Sequence, residues 1–177
     1  MSILENIAKA VAARFKSQGH KVKVTQLVSD WDLAEKYFDE FLKGSVLLGL
    51  SELPDGYRNF LLFSKSPNSE NTTASLEVGG NWIWGSSEIS SLVIKDDEPF
   101  PKQDHSALIS QVYAHVGQKV VAVKLWKPLP HLAFAFSDGS LFAIHGDNGQ
   151  YESWGFYQSS PEEVGVYALP GGPIAVG

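Results

Sequence analysis

The sequence predicts an α+β fold, a predominantly antiparallel sheet with two N-terminal helices and one further helix packed against it. Helical periodicity runs from Ser2 to Gly19 and from Ser29 to Gly44 and returns only around 104–117. From Ser45 onward the apolar runs are short and bounded by turn residues, as strands are. Asp138-Gly139 lies between two such runs, a strong short-range hairpin signal.

Ser2 precedes Leu4, Ile7, Val11 and Phe15, which recur at helical spacing until Gly19 stops the run. Lys21-Val22-Lys23-Val24-Thr25 alternates with period two and predicts a short strand with one wet face. Ser29 is the expected N-cap of the second helix. Asp30 and Asp32 lie in its first turn, where negative charge suits the helix dipole. Trp31, Ala34, Tyr37, Phe38, Phe41 and Leu42 form its apolar stripe, and Gly44 ends it.

Val46 to Leu50 and Asn59 to Phe63 flank Pro54-Asp55-Gly56 and predict a hairpin. Residues 66–73 are polar and read as a loop. Leu76-Glu77-Val78 and Trp82-Ile83-Trp84 are extended candidates interrupted by Gly79-Gly80, and Ile89 to Ile94 is a further strand candidate. Residues 96–104 hold two prolines and four acids and predict an exposed connection. Asp104 caps the third helix through Ala107, Leu108, Ile109, Val112, Tyr113 and Val116, with Gly117 as its stop. Strands Lys119 to Trp126, His131 to Phe136 and Ser140 to His145 follow. A fourth, Tyr151 to Tyr157, comes after a turn at Asp147-Asn148-Gly149.

The expected organisation is one domain over 1–177. It divides into a helical part at 1–44, an antiparallel sheet with one inserted helix at 45–160, and an irregular tail at 161–177. The tail holds three prolines and four glycines. A chain of this length buries roughly 70% of its unfolded surface and needs no covalent staple.

The chain has no cysteine, which excludes a disulfide framework, a thiolate metal site and a cysteine nucleophile. Residues 1–6 show no basic segment leading into an apolar run, and no apolar stretch approaches a membrane span. The expectation is therefore a cytoplasmic protein without a membrane partner. Asn71-Thr72-Thr73 is then a chance match to a glycosylation acceptor. The net charge of −6 is uneven: residues 1–44 hold seven Lys/Arg and six Asp/Glu, and residues 45–177 hold seven and fourteen. An acidic body argues against nucleic-acid binding, which draws on cationic contacts to phosphate, and suits a basic protein partner or simple solubility.

No catalytic signature stands out, and the expectation is a protein that is not an enzyme and carries no cofactor or metal. No two of His20, His105, His115, His131 and His145 have the i,i+4 spacing of a helical metal site. Turning symmetrically at Asp138-Gly139 leaves His131 one residue out of register with His145, on opposite sheet faces. A two-histidine site with Asp147 is the functional alternative to two unliganded strand-end histidines. There is no nucleophile elbow, and Gly85-Ser86-Ser87 reads as a turn. Gly79-Gly80-Asn81 lacks the remaining residues of a phosphate loop. Asp96, Asp97, Glu98 and Asp104 cluster in a loop too solvated for acid–base work, although exposure is what docking to a basic partner requires. Trp82 and Trp84 share one face of a strand, either as packing anchors or as a binding platform.

The run from Leu132 through Ser137-Asp138-Gly139-Ser140 to Ile144, followed by Tyr151-Glu152-Ser153-Trp154, resembles the closing segment of bacterial polymorphic-toxin and contact-dependent growth-inhibition immunity proteins. There a strand, an Asp-Gly turn, a second strand and a final Glu-Ser-Trp recur. The likeness falls within residues 132–154. It implies a non-enzymatic inhibitor that binds a cognate toxin domain, often a basic nuclease. Asp96, Asp97, Glu98 and Asp104 would supply its contact surface, with Asp147 and Glu152 as additions. The competing expectation is a small-molecule-binding protein or enzyme whose pocket is lined by Trp82, Trp84, Trp126 and Tyr113. A third is an assembly subunit that pairs with its own kind.

Overall fold

The structure is a computed structural model that describes residues 29–52, 58–66, 72–147, 149, 151–158 and 164–177. The helix expected from Leu4 to Phe15, the strand at 21–25 and the Pro54-Asp55-Gly56 turn lie outside these residues. Among the described residues antiparallel sheets dominate: ten strands form two sheets, with two α-helices at the places expected for the second and third.

The first helix, α1 (Trp31–Tyr37), is capped by Asp30 and not by Ser29, because the Asp30 carboxylate accepts from Leu33 N at 2.9 Å. The chain continues as a π-helix over Phe38–Leu42, where Lys43 N donates to Phe38 O across five residues. This wider turn lets Phe38, Phe41 and Leu42 all enter the core beside Ala34. Gly44, at φ +86°, ends it.

Strands β1 (Val46–Glu52), β2 (Asn59–Ser64) and β3 (Ala74–Val78) follow as an antiparallel series, with β1 and β2 paired as expected. Gly79-Gly80-Asn81 turns the chain into the second sheet as β4 (Trp82–Gly85). After α2 (His105–Ala114), β5 (Val120–Leu125), β6 (Leu132–Phe136) and β7 (Leu141–Ile144) form the expected meander. The last strands are β8 (Trp154–Gln158), β9 (Val164–Ala168) and β10 (Ile174–Val176). One sheet runs β1-β2-β3-β8-β9-β10 and the other β4-β7-β6-β5. Their facing sides, together with Phe38, Leu42, Leu108 and Val112 from the helices, bury one continuous core.

Three expectations are corrected. The strand after Asp147-Asn148-Gly149 does not extend the meander. Residues 145–153 carry the chain across to the other sheet, where β8 pairs with β3 and β9 and Trp154 is fully buried. Ile89 to Ile94 is not a strand: Ser91 N and Oγ both donate to Glu88 O (3.0 and 2.9 Å), closing a local turn in place of a ladder. Its apolar side chains are used differently. Ile89, Leu92, Ile94 and Phe100 cover the outer face of the four-stranded sheet against Ile83, Ala133, Leu141 and Ala143. From Val164 the tail is not irregular, because Pro170-Gly171-Gly172-Pro173 gathers four of its breakers into one turn. Val164–Ala168 and Ile174–Val176 are thereby free to pair. Gly171 and Gly172 take positive φ in that turn.

On the outer face of the six-stranded sheet, Tyr157 lies across from Gly165 and Tyr167 across from Gly155. Each phenol lies along its own strand over the glycine two residues before it, and the rings meet edge to face at 5.5 Å.

Candidate functional site

Two rows of paired residues mark one end of the sandwich. In the six-stranded sheet the row is Glu52, Asn59, Val78, Trp154, Ala168 and Ile174; in the four-stranded sheet it is Trp82, Ile144, Leu132 and Leu125. Connections leaving this end pack backbone to backbone. Gly79 N and Gly80 N both donate to Ser153 O (2.9 and 2.6 Å), His145 N donates to Asn81 O (2.8 Å), and the Trp154 indole donates to Pro130 O (2.7 Å). A Cβ on Gly79 would sit 2.5 Å from Glu152 O, and one on Gly146 would sit 2.5 Å from both His131 N and Pro130 O. Glycine is required here by close approach, and the Gly79 and Gly80 amides are committed within the protein rather than offered to a phosphate.

His131 and His145 meet at this end, contrary to the offset expected of them. The hairpin loop holds three residues, Ser137-Asp138-Gly139. Phe136 N donates to Ser140 O, and Gly139 takes φ +84°. That extra residue restores the register, so Leu132 faces Ile144 and the histidine rings just beyond lie 4.3 Å apart between centroids, their planes tilted by 54°. Both are buried, at 0% and 1% exposure. Gly146 N donates to His131 Nδ1 (2.8 Å), so the ring proton sits on Nε2, which donates to Asp96 Oδ1 (3.0 Å). His145 donates from Nε2 to the Lys95 carbonyl (3.1 Å), while its Nδ1 faces the backbone of Asp147. Burial pushes the His131 imidazole below its usual value and His145 adds to this, against the opposite pull of Asp96 and Asp147. With their nitrogens so engaged the two rings act as fasteners. Among the described residues no group of three or more His, Asp or Glu could hold a metal ion.

The acidic candidates stand around this platform. Asp96 binds His131 while its carboxylate stays half exposed, Asp97 is exposed, and Glu98 is exposed and paired with Lys95 at 2.6 Å. Asp147 accepts from Gly149 N (2.7 Å) beside His145, and Glu152, half buried, lies in the same connection into β8. Asp104 is exposed and caps α2. The next residue, His105, pairs with Glu52 at the end of β1, which brings the start of α2 to the same end. Sequence reasoning misses Glu52, because local spacing cannot place a strand-end acid beside a distant loop. The arrangement presents fixed carboxylates; it brings no nucleophile and base together.

The aromatic candidates do not form one pocket. Trp82 and Trp84 share a face, as their spacing predicts, and that face is the central core. Trp82 stacks on Phe142 (5.8 Å) and Trp84 on Phe136 (5.4 Å), while His115 meets Trp84 at a tilt (4.6 Å). Trp126 packs on the opposite face of that sheet with Ile83 and Ala133, under the Lys124 ammonium at 4.4 Å. Tyr113 stands 65% exposed on α2. A cleft of about 220 Å³ elsewhere, between Glu35, Phe38 and Asp39 on one side and Val123 to Leu125 on the other, is smaller than ligand pockets generally are. No helix among the described residues is long and apolar enough to cross a membrane. Comparison of the chain with protein-family models, curated proteins and solved structures gives no match.

Proposed function

We propose that this chain is a non-enzymatic immunity-type protein that binds and neutralises a cognate toxin domain with a basic surface, such as a nuclease, through the acidic end of its sandwich. One observation carries the proposal: Asp96, Asp97, Glu98, Asp104, Asp147 and Glu152, spread over 57 positions of sequence, all belong to connections at the same end, and Glu52 joins them. Carboxylates fixed on a glycine-packed platform lose little freedom on binding, which favours association. Their common sign steers a basic partner and raises the association rate. The likeness of residues 132–154 to immunity proteins points the same way. The adverse feature is that Glu98 already has Lys95 and Glu52 has His105, so these pairs must re-form across the interface. Co-expression with the toxin encoded beside it should restore growth, and purified partners should form a complex. Absence of both protection and a micromolar complex would sink the proposal.

A further inference from the structure

We propose that the adjoining His131–His145 pair is an acid-operated latch, which fastens residues 94–98 to the end of the four-stranded sheet when neutral and releases them when it takes up a proton. Two bonds make the fastening, His131 Nε2–H to Asp96 Oδ1 and His145 Nε2–H to the Lys95 carbonyl, so both rings grip adjacent residues of one connection. Neither ring can move aside in place. His131 lies against Gly146, whose chain has no room toward Pro130, and Phe100 meets the His145 ring edge to face at 5.9 Å.

A proton entering the closed latch has one place to go on His131, Nδ1, and that atom is accepting the Gly146 amide. Protonation therefore sets one N–H against another. It also places a cation at 0% exposure beside the second imidazole at 4.3 Å. Among the described residues the charged groups acting on His131 are Asp96 and Asp147, which favour the cation, and His145, which opposes it; the Lys95 ammonium is turned to Glu98, and the β3–β4 corner contributes the Asn81 carbonyl, which accepts from His145 N. Burial outweighs the two acids. Once residues 94–98 lift away, the ring is solvated and charges freely.

The sign follows from linkage. The closed state binds fewer protons than the opened one below the ordinary histidine value of 6.5, so closure is strong above it and weakens as pH falls through it. The opened population therefore rises as pH falls from about 7.5 to about 5, by at most about thirty-fold, the limit in which the closed form takes up no proton. In the binding role proposed above, on which this consequence rests, opening withdraws Asp96, Asp97 and Glu98 from the contact surface, and acid loosens the partner.

Hydrogen exchange of the protein alone, read by mass spectrometry at those two pH values and corrected for intrinsic rates, tests the latch without any toxin. The expected result is faster opening of residues 92–100 at the lower pH, by up to about thirty-fold, with β6 and β7 still protected. In the uncharged variant His131→Gln the response should flatten. Equal opening at both pH values, or simultaneous loss of protection in β6 and β7, would overturn the latch. The wild-type comparison decides even if the variant does not fold. Failure of toxin binding would leave the exchange result standing, and the reverse also holds.

Discussion

Gly146→Ala is expected to destabilise the protein by about 2–3 kcal/mol, although the glycine needs no unusual backbone conformation. Its φ is not positive, so in open space alanine would gain about 0.4–1 kcal/mol by restricting the unfolded chain. The space is not open. The new Cβ would lie 2.5 Å from Pro130 O and His131 N, and closer still to Pro130 C, where ordinary contact starts at 3.4 Å. These are backbone atoms that cannot rotate away, so the two connections must separate by roughly 1 Å, an overpacking cost of about 1–3 kcal/mol. The same shift takes the Gly146 N to His131 Nδ1 bond from 2.8 Å out of hydrogen-bonding range, adding about 1 kcal/mol. Gly85→Ala is the matched control, since that position also lacks positive φ and has nothing within 4 Å of its Cβ. Urea unfolding followed by tryptophan fluorescence should show the first variant less stable than wild type and the second equal or slightly more stable, both with unchanged m-values. A Gly146→Ala protein as stable as Gly85→Ala would refute the close packing of these connections.

Trp154→Phe should cost roughly 2–4 kcal/mol in the same assay, because it strands the buried Pro130 carbonyl and leaves a gap beside Phe38. Asp104→Ala should cost only about 0.5 kcal/mol of stability, at the low end for a cap, since its bond to Ser106 N is long at 3.4 Å. Burial, with Glu77 assisting, pushes the Tyr157 and Tyr167 phenols well above their usual 10.0. A raised acid stabilises fully below its unfolded value and loses that contribution as pH climbs beyond it, so stability should decline above about pH 10. Tyrosinate absorbance from these two rings should then appear only together with unfolding; their smooth titration in the folded protein would contradict their burial.

Periodic features are legible in residue spacing alone. The 31–42 apolar stripe, the helix capped at Asp104, the β1–β2 pairing and the 119–145 meander each rest on local spacing, and each is present. The features that spacing misses are decided by one residue or by distant partners. Asp30 displaces Ser29 as cap because its carboxylate reaches Leu33 N. One additional loop residue beyond Asp138-Gly139 turns two histidines expected on opposite faces into a pair in ring contact. The strand at 154–158 leaves the meander because Trp154 finds its core position and its Pro130 partner in the other sheet. The acids at 96–98, 104, 147 and 152 are visible as residue types, but their convergence depends on which strand ends lie side by side.

Docking through the acidic end should show itself in the association rate with the toxin partner proposed above, measured across a salt series. A fast rate that falls steeply as salt rises is expected. A several-fold loss is expected in Asp97→Asn/Glu98→Gln, with Lys36→Gln/Lys43→Gln on the opposite charge class left close to wild type. A complex whose association rate ignores both salt and the loss of Asp97 and Glu98 would contradict docking through this end.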